Sequence, residues 1–161
     1  LPRFEEAVFQ ARFPFATVDL KDKDMPLAAK ITGWSPFIPT DADNSSLPVG
    51  VLEYQFTNTS GKAIETVFSY NTKNFIDGQG TIQGVKNGFV LESDQNNSGL
   101  AIYVDNDAAV VDHCWFRGAW FDPQTVVWDN IRYGRIADKQ PVKGAAPGAS
   151  VYVPFPCRAF P

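Results

Sequence analysis

The sequence contains very few of the residues on which metal sites and nucleophilic hydrolases depend. It has one histidine, His113, and two cysteines, Cys114 and Cys157, in 161 residues. These are too few for a zinc site or a disulfide scaffold, and the sequence leaves open whether Cys114 and Cys157 pair. His113 is the only histidine that could serve a Ser-His-Asp type of hydrolase, but on a strand its neighbours Asp112 and Cys114 point to the face opposite to its own, and no G-x-S-x-G elbow is present. We therefore predict that His113 is a structural residue near a sheet edge.

Excess positive charge and long apolar runs are also missing. The chain has 14 Lys and Arg against 18 Asp and Glu, a net charge of −4, whereas nucleic-acid-binding domains usually carry a basic face. No segment approaches the ~20 apolar residues of a membrane-spanning helix. The first residues, "LPRFEEAVFQ", lack the regions of a signal peptide, and no glycine-rich phosphate loop follows a strand. These absences argue against nucleic acid, a transmembrane segment and a nucleotide cofactor, and they leave the compartment open.

What the chain does contain is a strand-like pattern along most of its length. Short apolar and alternating runs, separated by 12 glycines and 12 prolines, are typical of β-strands joined by turns. The runs are "FATVDL", "LAAKIT", "VGVLEYQFTN", "AIETVFSYN", "FVLE", "GLAIYVD", "TVVW" and "SVYVPF". The best helix candidate is the short "EEAVFQARF". We therefore predict an all-β fold, an antiparallel β-sandwich, formed as a single domain over residues 1–161.

Two turn signals predict particular strand connections. "TSGK" follows "VGVLEYQFTN", so we expect this strand and "AIETVFSYN" to form a hairpin joined through Asn58 to Gly61. Asn87-Gly88 is a strong two-residue turn signal, which predicts a second hairpin.

The acidic residues do not form a recognisable site. In "DADNSS", Asp41, Asp43 and Ser45 have the alternate spacing of a calcium loop, but the sixth position is Ser46 rather than glycine and the twelfth is Leu52 rather than glutamate. Eighteen acids give many pairs for glycosidic cleavage, and nothing in the sequence selects one pair. We therefore assign no catalytic residue, no metal site and no cofactor.

Two tryptophans are candidates for ligand binding. "HCWFRGAWFD" places Trp115 and Trp120 on either side of Arg117-Gly118. Core packing is the main expectation, because a sandwich needs large inward side chains, but an exposed ring could stack on a sugar. A carbohydrate-binding module that uses Trp115 or Trp120 is therefore one alternative function, and an adhesion or scaffold domain without a sugar role is another.

Several segments together resemble a known family. "PFATVDLKD", "MPL", "WSPFIPTDADNSSLPV" and "FTNTSGK" occur in this order, and the chain over these segments is similar to the N-terminal domain of glycoside hydrolase family 116. That family includes the bile-acid β-glucosidases, also called non-lysosomal glucosylceramidases. The resemblance is strongest from Phe13 to Phe75 and persists to "PGASVYVPF" near the end.

The resemblance implies a β-sandwich that packs against a C-terminal (α/α) toroid. In the family, the toroid carries a glutamate nucleophile and an aspartate acid/base and cleaves β-glucosides, including glucosylated lipids, with retention. Those residues have no counterpart in this chain, so the resemblance implies that the chain alone is inactive. After "VYVPF" the family usually continues with a strand and a Pro-Gly-Glu turn, whereas this chain reads "PCRAFP". We therefore expect a last strand to be missing, which would leave an exposed sheet edge.

The segment "WSPFIPTDADNSSLPV", the 34–49 loop, combines apolar residues, prolines and a polar centre. Each proline fixes φ and restrains the residue before it, so less entropy is lost when the loop is ordered. We predict that an apolar group anchors the loop in the sandwich and that a polar group reaches toward the catalytic domain or the rim of its cleft. The apolar group is Trp34, Phe37 and Ile38, and the polar group includes Asp41, Asp43 and Asn44. The alternative is a rigid crossover that has no partner.

Overall fold

A computed structural model of the chain describes residues 3–77, 80–93, 95–120 and 122–159. In this part of the chain the strands are β1 (Glu6–Arg12), β2 (Phe15–Lys21), β3 (Leu27–Trp34), β4 (Val51–Asn58), β5 (Ile64–Lys73), β6 (Ile82–Val85), β7 (Gly88–Ser93), β8 (Ser98–Tyr103), β9 (Val110–Asp112) and β10 (Gly148–Cys157). The helices are α1 (Ala42–Ser45) and α2 (Pro123–Arg132). None of the described helices is long and apolar enough to span a bilayer.

The strands form three sheets in two compact units, one of Leu1–Glu65 with Pro156–Pro161 and one of Thr66–Phe155. The first unit contains the antiparallel meander β1-β2-β3-β4. Its registers place Val18, Ile31 and Tyr54 in one cross-strand row, and the alternation of a strand puts Leu20, Ala29 and Phe56 on the same face. Thr17, Thr32 and Glu53 form a row on the opposite, more polar face. That residues 1–161 form a single domain stays a prediction.

The second unit contains the sheet β6-β7-β8 and most of the sheet β5-β10-β9, and these two three-stranded sheets share a hydrophobic core. Phe89 and Leu91 of β7 are fully buried and belong to the same cluster as Val111 of β9 and Val151 of β10. Full burial of such a side chain stabilises a fold by about 1.5–3 kcal/mol. Two sheets that face each other across one apolar core form a β-sandwich, so the predicted all-β sandwich is confirmed.

The predicted hairpin between β4 and β5 is wrong. β4 pairs with β3, whereas β5 lies beside β10 in a different sheet. The Asn58 side chain closes the intervening turn, donating to the carbonyls of Lys62 (2.7 Å) and Cys157 (2.9 Å) and accepting from the N–H (2.9 Å) and hydroxyl (2.7 Å) of Ser60. A side chain rather than a two-strand ladder therefore holds this turn, and the chain continues from it into another sheet.

Two predictions of element type are also wrong. "EEAVFQARF" forms β1 rather than a helix, because every residue of Glu6–Arg12 pairs with a residue of β2. "TVVW" lies in α2 rather than a strand, because Asp122 caps the helix and Pro123 occupies its first turn. The Asp122 carboxylate accepts from the Gln124 N–H (3.3 Å) and the Thr125 hydroxyl (3.2 Å).

The second predicted hairpin is present, with its turn one residue earlier than expected. Val85 pairs with Gly88, so the turn residues are Lys86 and Asn87, and Asn87 takes the left-handed φ of 55°. Gly88 already belongs to β7 and also pairs with Tyr103 of β8.

Candidate functional site

The polar centre of the 34–49 loop folds on itself. The Ile38 N–H donates to Ser45 Oγ (2.9 Å), and the Ser45 hydroxyl donates to the Ile38 carbonyl (3.0 Å). Asp41 caps α1 by accepting from the backbone N–H (3.0 Å) and the side-chain amide (2.6 Å) of Asn44. These two hydrogen bonds lower the pKa of Asp41, the backbone N–H first. Asp41 and Asn44 therefore hold the loop in one shape, whatever they contact outside the chain.

Backbone constraints add to this shape. Thr40 has a φ of 70°, a left-handed conformation that is costly for a β-branched residue. The neighbouring bridge between Ile38 and Asp41, with an N–H to carbonyl distance of 3.1 Å, holds this tight turn. Pro36 and Pro39 flank Ile38 and the exposed Phe37, so the loop presents apolar side chains from a restrained backbone.

The predicted apolar anchors do not enter a core. Trp34, Phe37 and Ile38 are between 37% and 49% exposed. The register explains this for Trp34, because it lies in the row with Phe15 and on the sheet face that carries the polar row of Thr17 and Thr32. The prediction that these residues are anchored in the sandwich is therefore wrong.

Instead, Trp34 and Phe37 each contact another exposed aromatic ring, and Ile38 is exposed next to Phe37 in the sequence. Phe13 and Phe37 meet edge to face with ring centroids 4.7 Å apart, and Phe15 lies 6.4 Å from Trp34. We call Phe13, Phe15, Trp34 and Phe37 the aromatic cluster. Phe13 is 76% exposed and the other three are 37–48% exposed. Sequence reasoning missed Phe13, which lies in the turn between β1 and β2, where side chains are commonly exposed, and Phe15, the first residue of β2.

The two candidate sugar-stacking tryptophans have opposite environments. Trp115 is 4% exposed and its Nε1 donates to Ser150 Oγ (2.8 Å). It therefore packs in the interior, in line with the core packing that the sequence favoured. Its ring is not available to a sugar. Trp120 is 91% exposed, so of these two rings it is the one that is open to a ligand. Nearby in sequence, the Arg117 guanidinium donates to the carbonyls of Lys143 (3.3 Å) and Ala145 (3.2 Å).

The segment around His113 is a buried polar junction. The His113 ring nitrogens face the carbonyl oxygens of Lys139 (2.7 Å) and Gly88 (3.3 Å). Asp112 is 1% exposed and accepts from Lys139 Nζ and from the Cys114 N–H, both at 3.1 Å. Burial raises the pKa of the Cys114 thiol, which makes it a poor nucleophile. These contacts hold chain segments together and fit the structural role predicted for His113.

Metal ligands do not converge within the described ranges. No group of three or more His, Cys, Asp or Glu side chains is close enough there to hold an ion. Asp41, the first residue of the calcium-like "DADNSS", caps a helix. Cys114 and Cys157 are both free thiols.

Comparison with known proteins agrees with the sequence motifs. The sequence model of the family described as beta-glucosidase 2, glycosyl-hydrolase family 116 N-term, matches residues 3–156. No curated protein matches the chain at a significant level. The family match covers nearly the whole chain and includes both the 34–49 loop and the β-sandwich. The chain therefore belongs to the family of N-terminal domains of glycosyl hydrolase family 116.

Proposed function

We propose that this chain is the non-catalytic N-terminal domain of a retaining β-glucosidase that acts on β-glucosides or glucosylated lipids. In this proposal the aromatic cluster docks on the catalytic domain, and the 34–49 loop shapes the entrance to the cleft. The observation that carries the proposal is the exposure of two aromatic pairs, Phe13 with Phe37 and Phe15 with Trp34, on a chain whose family is defined as an N-terminal domain. Contiguous exposed apolar surface commonly marks an interaction site.

The composition of this surface supports docking. Aromatic residues are enriched at the centres of interfaces, and polar side chains surround them at the rim. Here the aromatic cluster is followed along the loop by Asp41, Asp43 and Asn44. The hydrogen bonds from Asn44 to Asp41 and from Ile38 to Ser45 fix the loop in advance, so little conformational entropy would be lost on docking.

Replacing Phe37 with serine should separate docking from folding. In the 161-residue chain we expect the free energy of unfolding to fall by only about 1 kcal/mol, because the half-exposed ring loses partial burial and its contact with Phe13. In the protein that joins this domain to its catalytic domain, we expect the free energy of unfolding to fall by about 2 kcal/mol, because a docked aromatic side chain contributes that much. We also expect a lower turnover of an aryl β-glucoside. Urea unfolding and steady-state kinetics measure the two effects.

Phe75→Ser is the matched control, since it removes an exposed phenylalanine ring outside the aromatic cluster. It should leave both the stability and the turnover of the two-domain protein nearly unchanged. Equal behaviour of Phe37→Ser and Phe75→Ser in that protein would rule out docking through the aromatic cluster.

The exposure of Trp120 favours a second candidate function, a carbohydrate-binding site. A flat ring that is 91% exposed can stack on a sugar face. Titration of the chain with alkyl glucosides should then change its tryptophan fluorescence, and Trp120→Ala should abolish the change, whereas Trp34→Ala should not. A titration without any fluorescence change would remove this candidate.

A further inference from the structure

Strand β1 presents an open sheet edge that the proposed function does not use. It stands at the end of the order β1-β2-β3-β4 and, among the described strands, pairs with β2 alone. All seven of its residues are exposed, including Val8 and the 66% exposed Phe9. Edge strands are usually protected by charged residues, proline or a bulge. Glu6–Arg12 is charged only at its two ends, contains no proline, and pairs with β2 through seven consecutive partners without a bulge.

The sequence of β1, "EAVFQAR", is complementary to itself in the antiparallel direction. When two copies are centred on Phe9, Glu6 of each copy lies opposite Arg12 of the other. Ala7 then lies opposite Ala11, Val8 opposite Gln10, and the two Phe9 rings oppose each other. Opposite charges and aromatic pairs directly across two strands are stabilising.

The two-fold symmetry of such a pair limits the registers that are possible. A two-fold axis perpendicular to the sheet keeps each side chain on its own face, so opposed residues must both be even-numbered or both be odd-numbered. Among registers of this kind, only the one centred on Phe9 pairs all seven residues of Glu6–Arg12 and matches both charges. A register centred on Val8 or Gln10 leaves Glu6 or Arg12 without its opposite charge.

We propose that β1 pairs with β1 of a second copy of this chain, antiparallel and centred on Phe9. The two four-stranded sheets then become one continuous sheet across the dimer. The occupant is a second copy because Glu6 and Arg12 lie at the two ends of one strand, and the antiparallel direction brings them together twice. The surface area that one strand per copy buries is small compared with the ~1,200–2,000 Å² of a standard interface. We therefore expect a concentration-dependent equilibrium between monomer and dimer.

Charge reversal and its rescue test this pairing. Sedimentation velocity of the 161-residue chain over a wide concentration range should show monomer and dimer in equilibrium. Arg12→Glu sets two carboxylates opposite each other at both ends of the paired strands and should weaken dimerisation about tenfold. The double variant Glu6→Arg with Arg12→Glu exchanges the two charges and should restore the wild-type association. Lys86→Glu, an equal charge change at an exposed residue in the turn between β6 and β7, is the control and should have no effect.

Several outcomes would overturn the proposal. A wild-type chain that stays monomeric at every concentration excludes it. If Arg12→Glu and Lys86→Glu weaken the association equally, the association depends on net charge and not on β1. If Arg12→Glu leaves the association unchanged, the dimer uses another surface. Phe9→Asp gives a second probe, since it sets two carboxylates directly opposite each other at the two-fold axis and should abolish the dimer. Dimerisation that survives Phe9→Asp also excludes pairing through β1.

Discussion

Replacing Lys139 with methionine should lower the free energy of unfolding by about 3 kcal/mol, the lower end of the cost of breaking a buried ion pair. The Asp112 carboxylate is 1% exposed, and the ammonium of Lys139 lies 3.1 Å from it. Methionine keeps most of the aliphatic stem of lysine but removes the charge, so the carboxylate stays buried without its counter-ion. The Lys139 side chain is 47% exposed, so water can partly replace the ammonium and limit the cost.

A double-mutant cycle assigns this cost to the ion pair. Asp112→Asn removes the negative charge while its side-chain carbonyl can still accept from the Cys114 N–H, the second partner of Asp112. Because Lys139→Met is harmful mainly through the remaining carboxylate, we expect Lys139→Met to cost about 2 kcal/mol less in the Asp112→Asn background than alone. Urea unfolding of the four proteins measures the coupling. Additive costs would show that Lys139 acts through packing or through its hydrogen bond to the Cys114 carbonyl (3.0 Å) rather than through the charge of Asp112.

The position of most strands could be predicted from the sequence, because alternation is a local property. "FATVDL" and "SVYVPF" are strands as predicted, since their side-chain period and β-branched residues are enough to identify them. Strand pairing could not be predicted in the same way. The turn signal after β4 is genuine, but the hydrogen bonds of Asn58 to Lys62 and Cys157 decide where the chain goes next. One of these partners is 99 residues away in the sequence.

The missed helix α2 has a different cause. Its "TVVW" core is rich in β-branched residues, which favour strands when taken alone. The preceding Asp122 and Pro123 are a helix start signal, and their capping hydrogen bonds outweigh the weak propensity of the valines. Burial of Val127 adds tertiary stabilisation that a single sequence does not reveal.

The candidate site was predicted in part. The sequence identified the 34–49 loop, because its prolines and polar residues have strong local conformational preferences. It did not predict that Trp34 faces the polar side of the sheet, since a side chain's face depends on the register with β2 and β4. The same limit applies to Phe13 and Phe15, which join Phe37 and Trp34 only through contacts between strands and loop.

Replacing Gly88 with alanine should destabilise the second unit by about 3 kcal/mol or more, because the close approach of β7 and β8 leaves no space for a methyl group. A Cβ at this position would lie 2.1 Å from the Ile102 carbonyl oxygen and 2.6 Å from the Tyr103 Cα. Both atoms are backbone atoms of β8, so they cannot rotate away and the strands must separate. The adjacent pair of Phe89 and Ile102 lines the core, so separation would also open the packing around the fully buried Phe89.

Gly99 provides the matched control in the same sheet. A Cβ there would lie 3.4 Å from the Leu91 carbonyl oxygen, which is an ordinary van der Waals contact. Gly99→Ala should therefore change the free energy of unfolding by less than about 0.5 kcal/mol, or increase it slightly, because alanine reduces the entropy of the unfolded chain. Urea denaturation of the two variants measures the difference. If Gly88→Ala and Gly99→Ala have equal stability, the close approach of β7 and β8 does not constrain this sheet, and Gly88 serves only the turn at Asn87.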